Sequence, residues 1–421
     1  MNKSFKIVYE NWDNNEPIPN GSNNSLALHN SYFFKPHEIT DLLLKNNHKI
    51  ESVNLDEADN NSLYFICHFN KIREMVYNNK WILSNQVEEA IKVKNLKIIF
   101  FNLHESFENI ELDIKILQDR IATQNLPEEN FYIINNNSYL EDIKLKLNTK
   151  INVYTTKWFI EYVNNSNLRS LEYKENKKFI FLLHNRVPKP HRISLLILLK
   201  KLEILNDDVF DWSLLYPQMP FFTPFNNMHR AIDNPYKIFG DKKYFVDIHA
   251  RDNRAIFREL ISKPKLSYFE NEKNWFTDME KHDSSNWNEI RSFEESYINI
   301  VTESHYAIKD IHMSEKTFRP FYCFQIPIFA ASYNHIKKIR EQYPPLDLFD
   351  DLINHDYDNE EDDIRRLEMV ANEIKRLSEN KDMIVDFYSS NKSRFIKNRE
   401  YVETFSKNVT TLKYFNDLFS L

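Results

Sequence analysis

The segment Tyr297-Ile-Asn-Ile-Val-Thr-Glu303-Ser304 reads as a buried strand that delivers a carboxylate at its carboxyl end. Ten residues later comes Ser314-Glu315-Lys316-Thr317-Phe318-Arg319-Pro320. Ser314 is placed to cap a helix. Lys316 and Thr317 then fall in the first turn, where free backbone N–H groups and the helix dipole favour an anion. A lysine there opposes the dipole, and a bound anion such as a diphosphate accounts for it. Arg319 lies within reach of the same end and offers the planar fork that holds a phosphate by two hydrogen bonds. The plainer reading makes Glu315 and Lys316 ordinary first-turn surface charges, and spacing alone leaves both open. Pro320 speaks against a regular helix, because a proline six residues past the cap removes an internal hydrogen bond.

Two further segments carry chemistry. His184-Asn-Arg186-Val-Pro-Lys189-Pro-His191-Arg192 joins an apolar strand to an apolar helix. A strand–helix loop of this kind is where a doubly wound domain meets phosphate. Arg186, Lys189, His191 and Arg192 would form a cationic rim facing Lys316; the alternative is a basic surface loop. Asn102-Leu-His104-Glu105-Ser106 follows the clearest strand in the first third of the chain. Attack of an acceptor hydroxyl with inversion needs a general base, and His104 and Glu105 are the candidates. A polar strand end or helix cap is the alternative, and the early loop with Asp13 and Glu16 offers another source of a base.

The elements that must position these groups alternate along the chain. Strand patterns at 5–10, 48–55, 62–69, 96–103 and 131–137 are interleaved with helical ones at 37–46, 71–81, 85–95 and 108–124. In the last of these Ile110, Ile114, Leu117 and Ile121 recur at helical spacing. Strand–helix–strand order with short loops implies parallel sheets with right-handed crossovers. A polar stretch at 164–178 reads as a linker, and a second series begins with KFIFLLHNR at 178–186 and a helix at 192–205. Residues 217–290 show little periodicity, whereas 361–417 is almost wholly helical in pattern.

Composition bounds the function. The 421 residues suggest two domains. Hydrophobic residues at 42% and aromatics at 14% are ample for packed cores. A net charge of −7, with scattered Lys and Arg, argues against a broad nucleic-acid footprint while leaving room for a local basic patch. Cys67 and Cys323 sit in apolar runs and offer neither a disulfide framework nor a zinc site. There is no secretory signal pattern, and no apolar run approaches the roughly 18 residues of a membrane span. The expectation is a cytoplasmic protein without a transmembrane segment. Gly21 and Gly240 are the only glycines, which rules out a phosphate loop built on glycine. Asparagine is expected to fill left-handed turn positions instead. No Asp-x-Asp follows a strand, the acidic run 354–363 reads as a helix start, and no metal or cofactor is expected.

The stretch SYINIVTES…HMSEKTFRPFYCFQIPIFAAS resembles the sugar-nucleotide motif of α-1,3-fucosyltransferase-like and related GT-B glycosyltransferases. That motif is a strand ending in Glu, a loop, (Thr/Ser)-Glu-Lys, and a V-P-I strand. The resemblance implies that Glu303 and Glu315 bind sugar or ribose hydroxyls and Lys316 the diphosphate. Ser304 follows Glu303 without the family's intervening Asn, and Ala330-Ala331 stands where the family has glycine, so the donor GDP-fucose is not carried over. The whole expectation is an α/β, GT-B-like protein with two Rossmann-like doubly wound domains facing a cleft. An acceptor-side domain spans 1–165, a sugar-nucleotide domain 175–395, and a helix at 396–421 packs back on the first domain. Arg186, Arg192, Glu303, Ser304, Ser314, Glu315, Lys316, Thr317 and Arg319 form the donor set. The expected activity is metal-independent transfer from a nucleotide sugar to a hydroxyl of a glycan or other acceptor. Three rivals stand beside it: a degenerate GT-B module binding a saccharide or partner, a glycosyltransferase acting on DNA, and a glycoside hydrolase using Glu303 and Glu315.

Overall fold

A computed structural model of the chain describes residues 4–8, 10–11, 16–17, 49–53, 55–59, 62–66, 81, 83–102, 110–135, 139–155, 171–185, 189–214, 246, 250–262, 290–307 and 311–408. The chain divides into two compact units, Met1–Trp158 with Val409–Leu421, and Phe159–Asn408.

In the first unit the strands are β1 (Ser4–Val8), the short antiparallel pair β2 (Glu10–Asn11) and β3 (Glu16–Pro17), then β4 (Lys49–Val53), β5 (Ser62–Ile66), β6 (Lys97–Asn102), β7 (Phe131–Asn135) and β8 (Asn152–Thr155). Six of them form a parallel sheet in the order β4-β1-β5-β6-β7-β8. Ile98, Ile99 and Phe100 on β6 and all of β7 are buried, as expected of strands covered on both faces. The helices are α1 (Asn85–Lys94), α2 (Ile110–Thr123) and α3 (Leu140–Leu147). On α2 the expected stripe of Ile110, Ile114, Leu117 and Ile121 is the face that packs into the core.

The second unit holds β9 (Phe179–Asn185), β10 (Phe210–Leu214), β11 (Ser296–Thr302) and β12 (Ile326–Ala330), all parallel, in the order β10-β9-β11-β12. Its helices are α4 (Pro190–Lys201), α5 (Arg251–Ser262), α6 (Ile290–Glu294), α7 (Glu315–Tyr322), α8 (His335–Gln342), α9 (Asp363–Ser378), α10 (Lys381–Ser390) and α11 (Lys392–Asn408). α5 lies in the stretch that showed little periodicity; Phe257 and Leu260 form its buried side. α7 runs through Pro320, so the ring costs one internal hydrogen bond without ending the helix. α11 continues unbroken through residue 396 within the second unit. There Asn398 donates to the Asp347 carbonyl and Arg399 to the Leu171 carbonyl. Residues 409–421 lie outside the described residues.

Counted within its own sheet, each unit starts second-first-third-fourth, and the first unit continues with its fifth and sixth strands. Strand order therefore reverses between β1 and β5 in the first unit and between β9 and β11 in the second. In open α/β sheets a crevice opens beside the carboxyl ends of the strands at such a reversal. The Glu303 and Arg192 segments both leave the sheet at the second of these points.

Candidate functional site

All seven residues of β11 are buried, and their β-branched side chains suit a central strand. Pairing continues one residue past the strand, where the Glu303 N–H donates to the Ala330 carbonyl (3.1 Å). The Glu303 side chain is fully buried. Its carboxylate accepts four hydrogen bonds: from Ser304 N (3.2 Å), Ser314 N (3.3 Å), Ser314 Oγ (2.6 Å) and Thr317 Oγ1 (2.5 Å). Its carbonyl is held from the other side, by His191 Nε2 (2.9 Å) and Arg192 Nη2 (3.4 Å) on α4. Arg192 also donates to the Thr302 carbonyl (2.9 Å), and Thr302 Oγ1 donates to Asn185 Oδ1 (2.7 Å), tying the ends of β9 and β11 together. A buried carboxylate needs such a full set of partners. Glu303, expected on a ligand's hydroxyls, is thus engaged with Ser314 and Thr317, two other members of the expected donor set.

The start of α7 is likewise occupied. Ser314 caps it as expected, accepting from Lys316 N (3.2 Å). Thr317 N donates to the Ser314 carbonyl (3.1 Å), and Glu315 takes its own backbone N–H on its carboxylate. The first-turn N–H groups expected to be free for an anion all have partners within the chain. The Glu315 carboxylate is the anion beside Lys316 Nζ (2.9 Å) and Arg319 Nη2 (3.6 Å). Burial pushes its pKa up, but Lys316 and Arg319 outweigh this and hold it well below the usual carboxylate range.

Around these carboxylates stand four cationic side chains. Lys189, the residue before α4, donates from Nζ to the Ser304 carbonyl (2.6 Å). Arg192 is buried; burial lowers its pKa to about 10 while Glu303 and Glu315 pull it back, so it stays charged at neutral pH. Arg319 is largely buried, whereas the Lys316 side chain keeps 28% of its surface exposed. His312 is pushed down to about 3 by burial first and then by Lys316 and Lys189, which brings cations from two separate elements to bear on one imidazole. His191 is also held well below its ordinary value by burial and by Arg192 and Lys189. Its ring stacks on Tyr306 (5.1 Å between centroids), and the Arg366 guanidinium lies over that same ring (4.6 Å). Arg366, itself buried, donates to the Tyr306 and Ala331 carbonyls and pairs with Asp363, so α9 fastens the loop after β11 to the end of β12.

The structure therefore brings together Arg192, Glu303, Ser304, Ser314, Glu315, Lys316, Thr317 and Arg319. Arg186, His104, Glu105 and Asp13 lie outside the described residues. His335, His312 and Arg366 went unread in the sequence. Arg366 did leave a trace: with Glu373 it sits in a buried stripe with Val370 and Leu377 on α9, where charge is unexpected. Among the described residues no helix is long and apolar enough to cross a membrane, and no three His, Cys, Asp or Glu side chains come together as metal ligands do. No protein-family model matches the chain, and no curated protein matches it.

Proposed function

We propose that the second unit binds the diphosphate of a nucleotide sugar. On this reading the protein is a cytoplasmic, metal-independent glycosyltransferase of the GT-B plan that acts on a hydroxyl of a glycan or other acceptor. The observation that carries the reading is the charge at the strand-order reversal. Lys189, Arg192, Lys316 and Arg319 outnumber Glu303 and Glu315 four to two, and Lys189 and Lys316 are the partly exposed cations among them. Fixed cations can stabilise a leaving diphosphate as a metal ion would. Lys316 and Arg319 would exchange Glu315 for the phosphate oxygens, with Lys189 on the opposite side. A hydrolase using the two glutamates finds less support. A general acid must hold a proton near neutral pH, and Glu315 is held far below that range.

A second reading, a GT-B-like module that binds without catalysis, is favoured by one observation: Glu303, Ser314 and Thr317 already satisfy one another. Thermal stability against GDP, UDP, CMP and ADP, with EDTA and with Mg²⁺, separates the two. A ligand at 100 times its dissociation constant adds roughly 2.7 kcal/mol. The glycosyltransferase reading expects one nucleoside diphosphate to stabilise the wild type regardless of metal and to lose its effect on Lys316→Ala. If none shifts the protein, the binding-module reading takes its place.

A further inference from the structure

Two chains of hydrogen bonds run from helix starts and end on Glu303. In the first, Lys316 N donates to Ser314 Oγ (3.2 Å), and Ser314 Oγ donates to Glu303 Oε2 (2.6 Å). The second is longer in reach. Thr317 Oγ1 lies 2.5 Å from Glu303 Oε1 and 3.3 Å from His335 Nε2. A threonine hydroxyl has one proton to give, and the carboxylate can only accept. The proton therefore points to Glu303, and His335 Nε2 must be the donor toward Thr317. This fixes the neutral imidazole as the Nε2–H tautomer. His335 is the first residue of α8, almost fully buried, and its Nδ1 finds no hydrogen-bond partner among the described residues. The ring is thus anchored on its polar side by the Thr317 contact, with Phe329 packed against it (5.4 Å).

We infer that His335 is a positioning residue for the anion site proposed above: it aims the Thr317 hydroxyl at Glu303, and Glu303 then gathers Ser304, Ser314 and Thr317 so that the first turn of α7, with Lys316, is held at the end of β11. The inference rests on that anion-binding reading for its purpose, while the relay itself is independent of it. Burial holds His335 below its ordinary pKa against the pull of Glu303 and Asp358, consistent with a neutral ring that donates from one nitrogen.

The test uses the full chain with pyrophosphate as the probe, together with long-range ¹⁵N–¹H spectra of the histidines. The wild type is expected to show His335 as the Nε2–H tautomer. His335→Leu removes the donor; His335→Gln restores an N–H at nearly the same place. Loss of one buried hydrogen bond corresponds to roughly tenfold, so His335→Leu should bind pyrophosphate about tenfold more weakly while His335→Gln stays near wild type. Where His335→Leu does not fold, Thr317→Val, which breaks the same relay with little change of shape, should show the same roughly tenfold loss. An Nδ1–H tautomer overturns the inference, as does wild-type affinity in folded His335→Leu or, where that does not fold, in Thr317→Val. If the wild type ignores pyrophosphate, the anion reading fails by itself. The relay is then judged by hydrogen exchange at Lys316 and Thr317: protection lost in the variant upholds it, and unchanged protection removes it.

Discussion

In the first unit, the described buried polar side chains are Ser62, Asp113, Asn130, Asn135 and Thr149. In the second they include His191, Arg192, Glu303, His312, His335, Arg366 and Glu373. Both sheets start second-first-third-fourth and share the same reversal, so strand order does not account for the difference. Nor does stability require it, since burying charge costs more than burying hydrocarbon of the same volume. In the second unit Arg192 and Glu303 meet where strand order reverses, and each engages a named backbone or side-chain atom there. A parallel sheet by itself needs the kind of core seen around β6 and β7, while the ends of β9 and β11 are built to a particular geometry.

The largest expected effect tests that contrast directly. Glu303→Ala leaves two backbone N–H groups and two hydroxyls buried without their acceptor, and should cost the second unit about 3–5 kcal/mol. The comparable change in the first unit is Asn130→Ala. It removes hydrogen bonds to Asn95 Oδ1 (2.9 Å) and the Leu96 carbonyl (3.2 Å), a loss of about 1–2 kcal/mol. Urea unfolding read by hydrogen exchange in each unit measures both. A smaller cost for Glu303→Ala than for Asn130→Ala breaks the comparison.

Acid should separate the units next. His191, His312, His335 and His355 all have lowered pKa values, in each case through burial first. The unfolded chain takes up protons near pH 6.5 that the folded unit refuses. The stability tied to these rings is therefore present above that pH and lost as pH falls below it, by up to about 1.4 kcal/mol per ring per pH unit. The histidines of the first unit, His29, His37, His48, His68 and His104, lie outside the described residues, and none is among the described buried side chains that pack β6 and β7. Between pH 7 and 5.5, protection corrected for intrinsic exchange should fall in β9 and β11 and hold steady in β6 and β7. Equal loss in both sheets would mean that the buried imidazoles are not what sets the acid response.

How much of this was readable differs by kind of residue. Parallel sheets, the α2 stripe, the Ser314 cap and the convergence of the Glu303 and Arg192 segments all follow from local pattern, because periodicity and turn chemistry are local. The partners of Glu303 do not. Its four hydrogen bonds span one to fourteen residues of sequence, and the relay to His335 adds another eighteen. A carboxylate at a strand end reads the same in sequence whether it waits for a ligand or for Thr317. The N–H groups expected to be free at α7 differ for a related reason: Ser314 takes those of Lys316 and Thr317, while the Glu315 carboxylate lies against Lys316 and Arg319.

The asparagine reading supplies the smallest prediction, one in which the two units should behave alike. Residues with positive φ among those described include Asn95, Asn125, Asn148 and Asn334. In a chain with two glycines these asparagines stand where glycine would be usual. Asn148 closes α3 at φ 48° in the first unit, and Asn334 precedes α8 at φ 62° in the second. A side chain with no local polar contact pays more for the left-handed region, so Asn→Ala at either site should cost about 1 kcal/mol. Asn→Gly removes the Cβ clash while loosening the unfolded chain, and the two changes should nearly cancel. Melting temperatures of the four single variants would show it. Matched losses at Asn148 and Asn334 would place the difference between the units in the buried charge alone, whereas a much larger loss at Asn334→Ala would show that the α8 start, and with it His335, depends on that turn.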